Sequence, residues 1–282
     1  MRRSRRFPGW TGVRARCFCA PLLRAFLSGA ALFPVAADGA DTAGAILERA
    51  REAEDTLRFW TSRKQVLSLS VLRDGRTLRT RKLLVYAKRQ SRGREKTVAF
   101  VLAPESMRGT AFLQWTDPEA KSEQWLYLPR FGRSRKISAS LEDQSFLGTD
   151  LSHRELGILG EFLRWEESRA PSRFLGREEL DGTVCDRIER RFRAGPYRRL
   201  EAWLDVDLLV RKVALFDDDP EPRKTIRQGE FRAVGGIPTP HRIEVDDPAK
   251  SSRTLVEVEE CSYGLPLEDD LFTQRSLSRG PR

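Results

Sequence analysis

Phe174-Leu-Gly-Arg-Glu-Glu-Leu180, Asp181-Gly182, Thr183-Val-Cys-Asp-Arg-Ile-Glu-Arg-Arg-Phe-Arg193, Ala194-Gly-Pro196, then Tyr197-Arg-Arg-Leu-Glu-Ala-Trp-Leu-Asp-Val206: the reading of this stretch decides the fold class. Segments with strand-type composition and a period of two are broken by turn-forming residues. The same pattern continues through Leu208–Phe216, Arg223–Ala233, Thr239–Val245 and Thr254–Tyr263, with turns at Asp217–Pro220 and Gly235-Gly236. Connections this short join antiparallel neighbours, because a parallel crossover takes about a dozen residues or more.

Upstream, Val66–Leu72 and Thr77–Lys88 flank Asp74-Gly75, a strong hairpin signal. Lys96–Leu102, Thr110–Trp115, Gln124–Leu128 and the short basic Arg133–Ile137 read as further strands. Asp41 and Thr42 can cap a helix running to about Phe59, with Ala43, Ile46, Leu47, Ala50, Ala53 and Leu57 on a rough stripe. A second, short helical segment opens at Thr149-Asp150 and runs to about Leu156 or beyond, with Asp or Ser as its cap. The expectation is a mainly β chain with few helices, one large antiparallel sheet rather than two domains, over residues 38–282.

The 282 residues carry 51 basic and 41 acidic side chains, a formal net charge of +10. That balance would suggest a nucleic-acid partner, but its distribution argues against one. Residues 1–37 hold Arg2, Arg3, Arg5, Arg6, Arg14, Arg16 and Arg24 and no acid, and without them 44 basic residues face 41 acidic ones. Those residues run from basic to apolar (Ala25–Phe33) to small (Val35-Ala36-Ala37), the pattern of a secretory leader cleaved near Ala37. The apolar run is far shorter than the ~20 residues of a spanning helix. An exported, periplasmic chain of residues 38–282 is expected, with no nucleic-acid partner.

Downstream of the leader the cysteines are Cys185 and Cys261. Outside the cytoplasm a pair is often a disulfide; two small buried thiols are the alternative. Catalytic chemistry is hard to find. His153 and His241 lie far apart and neither is near a cysteine at metal-ligand spacing. The chain has no nucleophile elbow, P-loop or Rossmann glycine run. Asp217-Asp218-Asp219 and Asp246-Asp247 read as solvated turns or strand ends, and the basic run Arg130–Lys136 around Phe131 as a docking or solvated surface. No metal, cofactor or enzymatic activity is expected.

Several strands carry large apolar groups on both faces. Trp125 and Tyr127 share one face of their strand while Leu126 and Leu128 share the other; Ala111, Leu113 and Trp115 oppose Thr110, Phe112 and Gln114. Trp203 stands between Glu201 and Asp205, opposite Leu200, Ala202 and Leu204. Such rings belong either to ordinary core or to an inner surface that receives a greasy ligand. On the second reading Trp115, Trp125, Tyr127 and Trp203 line a hydrophobic cavity.

Ala103-Pro-Glu-Ser-Met-Arg-Gly-Thr-Ala-Phe-Leu-Gln-Trp115, Glu123-Gln-Trp-Leu-Tyr-Leu-Pro-Arg-Phe-Gly-Arg-Ser-Arg-Lys-Ile137, Phe146-Leu-Gly-Thr-Asp-Leu151, Trp203-Leu-Asp205, Gly236-Ile-Pro-Thr-Pro-His241 and Leu271-Phe-Thr-Gln-Arg275 together resemble the outer-membrane lipoprotein-sorting proteins of the LolA/LolB-like carrier superfamily. The resemblance spans roughly residues 43–277. It implies a strongly curved antiparallel half-barrel with helices packed in its concave face. It also implies a periplasmic carrier for a lipid or for lipoprotein acyl chains, working with an inner-membrane exporter of the resistance-nodulation-division (RND) type. A lipid-sensing regulatory or interaction module of the same fold is the alternative.

Overall fold

The computed structural model describes residues 39–90, 93–117, 120 and 122–281. The expected leader, residues 1–37, lies outside them. The described residues form one compact unit. Helix α1 (Gly39–Asp55) leads into six strands: β1 (Ser62–Arg73), β2 (Arg76–Arg89), β3 (Glu95–Ala103), β4 (Ala111–Thr116), β5 (Glu123–Leu128) and β6 (Arg133–Lys136). Helix α2 (His153–Glu161) follows, then β7 (Ser172–Leu180), β8 (Thr183–Arg191), β9 (Arg199–Asp205), β10 (Val210–Phe216), β11 (Lys224–Val234), β12 (Ile237–Asp247) and β13 (Ser252–Tyr263), with a short α3 (Ser276–Arg279).

All 13 strands belong to one sheet, in the order β6-β5-β4-β3-β2-β1-β13-β12-β11-β10-β9-β8-β7. Two meanders are therefore zipped along a single seam, where β1 runs antiparallel to β13 from Arg63↔Tyr263 to Arg73↔Ser252. The hairpin signals act locally. Asp74 and Gly75 both have positive φ (50° and 73°), as do Asp181 and Gly182 (49° and 78°), the backbone that a two-residue hairpin turn requires.

The sheet is open, with β6 and β7 as its edges. This corrects the expectation of a strongly curled half-barrel: the strands form one broad antiparallel sheet with few helices, bent over them. The bend follows from the segment between β6 and β7, which joins the two edges and carries α2. Gln124 on β5 donates through Nε2 to His153 O at 2.9 Å, and Lys224 on β11 donates through Nζ to Glu155 at 2.9 Å. In a flat sheet β5 and β11, seven positions apart, would stand ~34 Å from each other.

Helices α1 and α2 share one face of the sheet. Ala43, Ile46, Leu47 and Ala50 of α1 are buried against Ile188, Leu200, Leu204, Leu215, Ile226 and Val245, and Ile158 and Leu159 of α2 join the same cluster. Spacing of three and four residues puts the α1 side chains on one stripe. The helix stops earlier than its stripe suggests. Past Asp55 the side chain of Arg58 turns away to donate to the carbonyls of Asp207 and Leu208, leaving Leu57 82% exposed. Across the described residues no helix is long and apolar enough to cross a membrane.

Cys185 and Cys261 are free thiols. They lie on β8 and β13, five positions apart in the sheet. A disulfide needs Cα atoms within ~7 Å, so the expected bridge does not form. A chain of residues 38–282 denatured without reductant should therefore release two titratable thiols in a colorimetric assay; zero thiols would show that the strands pair differently from the order above.

Candidate functional site

The best-formed cavity on the helix face encloses about 460 Å³, within the range of small-molecule sites. One wall is α2, with Gly157, Ile158 and Glu161; a second is the loop after it, with Trp165, Arg169 and Ala170. Phe192 to Tyr197, the connection from β8 to β9, close the third side, and Gln124 and Ile137 the fourth. Ile158, Trp165, Phe192, Pro196 and Ile137 make most of the surface apolar. Gly157 leaves it open: a Cβ there would meet nothing nearer than Gln124 Nε2 at 4.0 Å.

The polar groups of the floor are engaged with one another. Gln124 bonds His153 Nδ1 at 3.1 Å through Oε1 and gives Nε2 to Gln114 Oε1 at 3.1 Å. Burial lowers the pKa of His153, so its ring is neutral at pH 7 and donates from Nδ1. Glu161 accepts from the backbone N–H of Ser122 at 3.2 Å and from Trp165 Nε1 at 3.3 Å. Arg190 holds the far loop, its buried guanidinium donating to the carbonyls of Trp165, Glu166 and Ala170. Burial pushes its pKa down to about 10, which leaves it charged at neutral pH. At the mouth stand Arg154, ion-paired to Glu142 and Asp143, and the exposed Arg193.

Beneath the cavity lies a buried ionic network that seats α2. Ser152 and Glu155 form a reciprocal cap: Glu155 N–H donates to Ser152 Oγ at 3.3 Å, and Ser152 N–H to Glu155 Oε2 at 2.6 Å. The same carboxylate accepts from Lys224 Nζ and from Tyr197 Oη. Lys224 also donates to the carbonyl of Asp150, whose carboxylate is held by Ser252 Oγ at 2.5 Å and Thr254 Oγ1 at 2.7 Å. Burial, reinforced by Glu155, pushes the Tyr197 phenol far up, so it stays a donor. Asp246-Asp247 is not the solvated pair expected, for Asp247 is fully buried. Burial alone would raise its pKa, but Lys250, Lys224 and Arg223 outweigh it and hold the carboxyl below the usual range.

The structure does not bring the four aromatic candidates together around this cavity. Alternation explains why. Gln114 and Gln124 point to α2, so Trp115, Trp125 and Tyr127 point to the opposite face, where they pack with Phe272 and Leu277 of the C-terminal segment. Trp115 and Trp125 meet edge to face at 4.6 Å, and Trp115 Nε1 donates to Phe272 O at 3.0 Å. Trp203 packs elsewhere, with Cys185, Ala214 and Phe216. It lies beneath Lys212 Nζ, 4.0 Å from the ring centre, and Arg187 at 5.1 Å. Arg187 also bonds Glu201 at 2.6 Å, which is how a carboxylate comes to share a buried tryptophan's face. The walls that sequence reading missed come from α2 and two loops. The one local signal was the Ser152-x-x-Glu155 spacing of a capping box.

A family model described as an uncharacterised protein matches residues 93–279. The chain belongs to that family. Its fold is that of the LolA superfamily. A DUF1329 family protein from Desulfovibrio piger, 24% identical, superposes with a TM-score of 0.75 over 85% of this chain and 99% of that one. A domain assigned as an outer membrane lipoprotein-sorting protein from Vibrio parahaemolyticus, 19% identical, gives 0.75 over 85% and 100%. A LolA superfamily protein from Nitrosomonas europaea, 18% identical, gives 0.62 over 83% and 98%. No curated protein matches the sequence.

Lys224→Met should cost roughly 3–5 kcal/mol, since it leaves the buried Glu155 without its cation and takes one of the three cations from Asp247. Because Asp247 has its pKa lowered on folding, the stability it contributes is present above about pH 4 and is lost as pH falls through the lowered value. Thermal melts from pH 7 to pH 2 should therefore show a wild-type drop on the acid side and a smaller one in the variant. A variant as stable as wild type at pH 7 would remove this network from the account of how α2 is held.

Proposed function

We propose that the protein is a non-enzymatic periplasmic carrier that shelters a hydrophobic chain in the cavity between α2 and the bent sheet. The observation that carries this reading is the cavity: about 460 Å³, mostly apolar, walled by a helix and two loops rather than by strands alone. The LolA-type fold supports it, as does the leader-like pattern of residues 1–37. The broad, bent sheet then backs the cavity, with α2 and the loops beside it as its lining. A lipid, or the acyl chains of a lipoprotein, is the cargo class, and an inner-membrane RND-type exporter is the partner that the resemblance supports.

The energetics are adequate. Each buried methylene contributes about 0.8 kcal/mol, so ten offer about 8 kcal/mol before the costs of association. That corresponds to about micromolar affinity at best. Apolar walls give little selectivity along the chain; the paired polar floor would admit a headgroup only by exchanging one of its own bonds. Release needs α2 or the loops beside it to move, or a competing apolar site to take the chain.

Gly157→Leu tests the assignment directly. The added side chain enters the cavity without a backbone clash, and replacing a helical glycine raises helix propensity by up to ~1 kcal/mol. The variant should keep or raise its melting temperature while losing at least tenfold in affinity for a fluorescent fatty acid; Gly157→Ala should bind nearly as wild type. Unchanged binding in Gly157→Leu would place the ligand elsewhere, and no binding by the wild type would deny one altogether.

A further inference from the structure

The basic run Arg130–Lys136 has no role in the cavity. Strand β6 is an edge strand, and Arg130, Arg133 and Arg135 are exposed with no carboxylate partner among the described residues. Register carries them to the same end of the sheet as the start of β2. Arg133 is opposite Leu128, Ala111 is opposite Tyr127, Val101 bonds Thr110, and Leu83 is opposite Val101. Beyond Leu83, residues 76–81 pair only with β1 and overhang β3. Arg76, Arg79 and Arg81 stand there, also with no carboxylate partner among the described residues.

These guanidinia are not neutralised from within. Nearby acids are already engaged: Glu105 with Arg108, Glu259 with Lys82, and Glu142 and Asp143 with Arg154. Asp74, at the tip of the β1–β2 hairpin, makes no ion pair among the described residues. Arg79 and Arg81 crowd onto one turn: a Cβ on Gly148 would stand 2.9 Å from Arg79 Nη1 and 3.6 Å from Arg81 Nη2. Arg81 Nε donates only to a carbonyl, Leu147 O at 3.2 Å. Two apolar side chains project among the charges. Phe131 is 42% exposed, flanked by Arg130 at 4.6 Å and Arg135 at 4.5 Å from its ring centre. Leu78 is 49% exposed and is the extra residue of a bulge, between the pairs Val71↔Arg79 and Leu72↔Thr77.

We propose that this arginine-rich end of the sheet docks the protein on an anionic bilayer surface, with Phe131 and Leu78 entering the headgroup layer. Size selects the occupant. The β2 and β6 groups are four strand positions apart, up to ~19 Å, too far for one phosphate to bridge and well suited to several headgroups. An acidic peptide added along the β6 edge would reach the arginines of β6 and leave those of β2 untouched. Exposed aromatic and aliphatic residues set among arginines are the composition of an interfacial anchor. The inference stands apart from the carrier reading, since docking needs no cargo.

The test is flotation of the exported protein with phosphatidylcholine vesicles, with and without 30% phosphatidylglycerol, at low and high salt. Binding should require the anionic lipid and fade at 0.5 M NaCl. Arg130→Gln/Arg133→Gln/Arg135→Gln and Arg76→Gln/Arg79→Gln should each weaken it at least tenfold, since each arginine near such a surface contributes comparably. The matching Arg→Lys variants should retain most of it, and circular dichroism melts should show all variants folded. Equal binding to neutral vesicles, or no binding at low salt, overturns the proposal. So does tight capture of a poly-glutamate peptide that depends on the β6 arginines alone, which would make the edge a protein-docking site. Loss of fatty-acid binding in Gly157→Leu with flotation intact would leave both readings standing, and failure of either assay leaves the other unaffected.

Discussion

One carboxylate fixes where α2 sits. Glu155 accepts from its own helix cap, from Lys224 on β11 and from Tyr197 at the entry to β9. A buried charge is tolerated only when paired and fully bonded, and here the partners come from separate parts of the chain. Meeting them forces α2 onto the far half of the sheet, while Gln124 and His153 tie it to the near half. The bend of the sheet, the seating of α2 and the opening beside it are consequences of the same set of bonds.

The opening owes its emptiness to small and turned-away groups. Gly157 presents no side chain, and Glu161 turns to Ser122 and Trp165 rather than into the space. The loop on the far side is held by Arg190 through backbone carbonyls, so its wall depends on one long side chain reaching in from β8. The cavity is therefore bounded by pieces that differ in stiffness: a strand-borne floor with its amides cross-bonded, and a helix and loops fixed at a few points.

The strands were legible because their signals are local. Asp74-Gly75 and Asp181-Gly182 dictate their turns by backbone conformation, and alternation put Trp125 and Tyr127 on one face of their strand and Trp115 with Leu113 on one face of theirs, which the register then joins. Alternation cannot say which face receives the helices. That was decided by long-range partners such as Gln124 with His153, so the rings that seemed to promise a pocket cover the other side under residues 265–279. Trp203 misled for a related reason: Glu201 beside it marked a solvent-facing or cavity position until Arg187, from the neighbouring strand, supplied the counter-charge. The disulfide failed on sheet order, which two cysteines alone cannot reveal.

The seam between β1 and β13 has a consequence for how the chain assembles. Every other pairing in the sheet joins consecutive strands, but Arg63 meets Tyr263 across 200 residues. In free-energy terms such a closure is mild, about 0.6 kcal/mol for each doubling of the loop. In time it is slow, because non-local contacts form only after the search is complete. Two meanders that fold on their own would each present a long naked edge, β1 on one and β13 on the other, until they find each other. Those edges are templates for pairing with the wrong chain, so crowding during synthesis bears hardest on this one line of hydrogen bonds; pulse-labelled hydrogen exchange, strand by strand, reads that order directly.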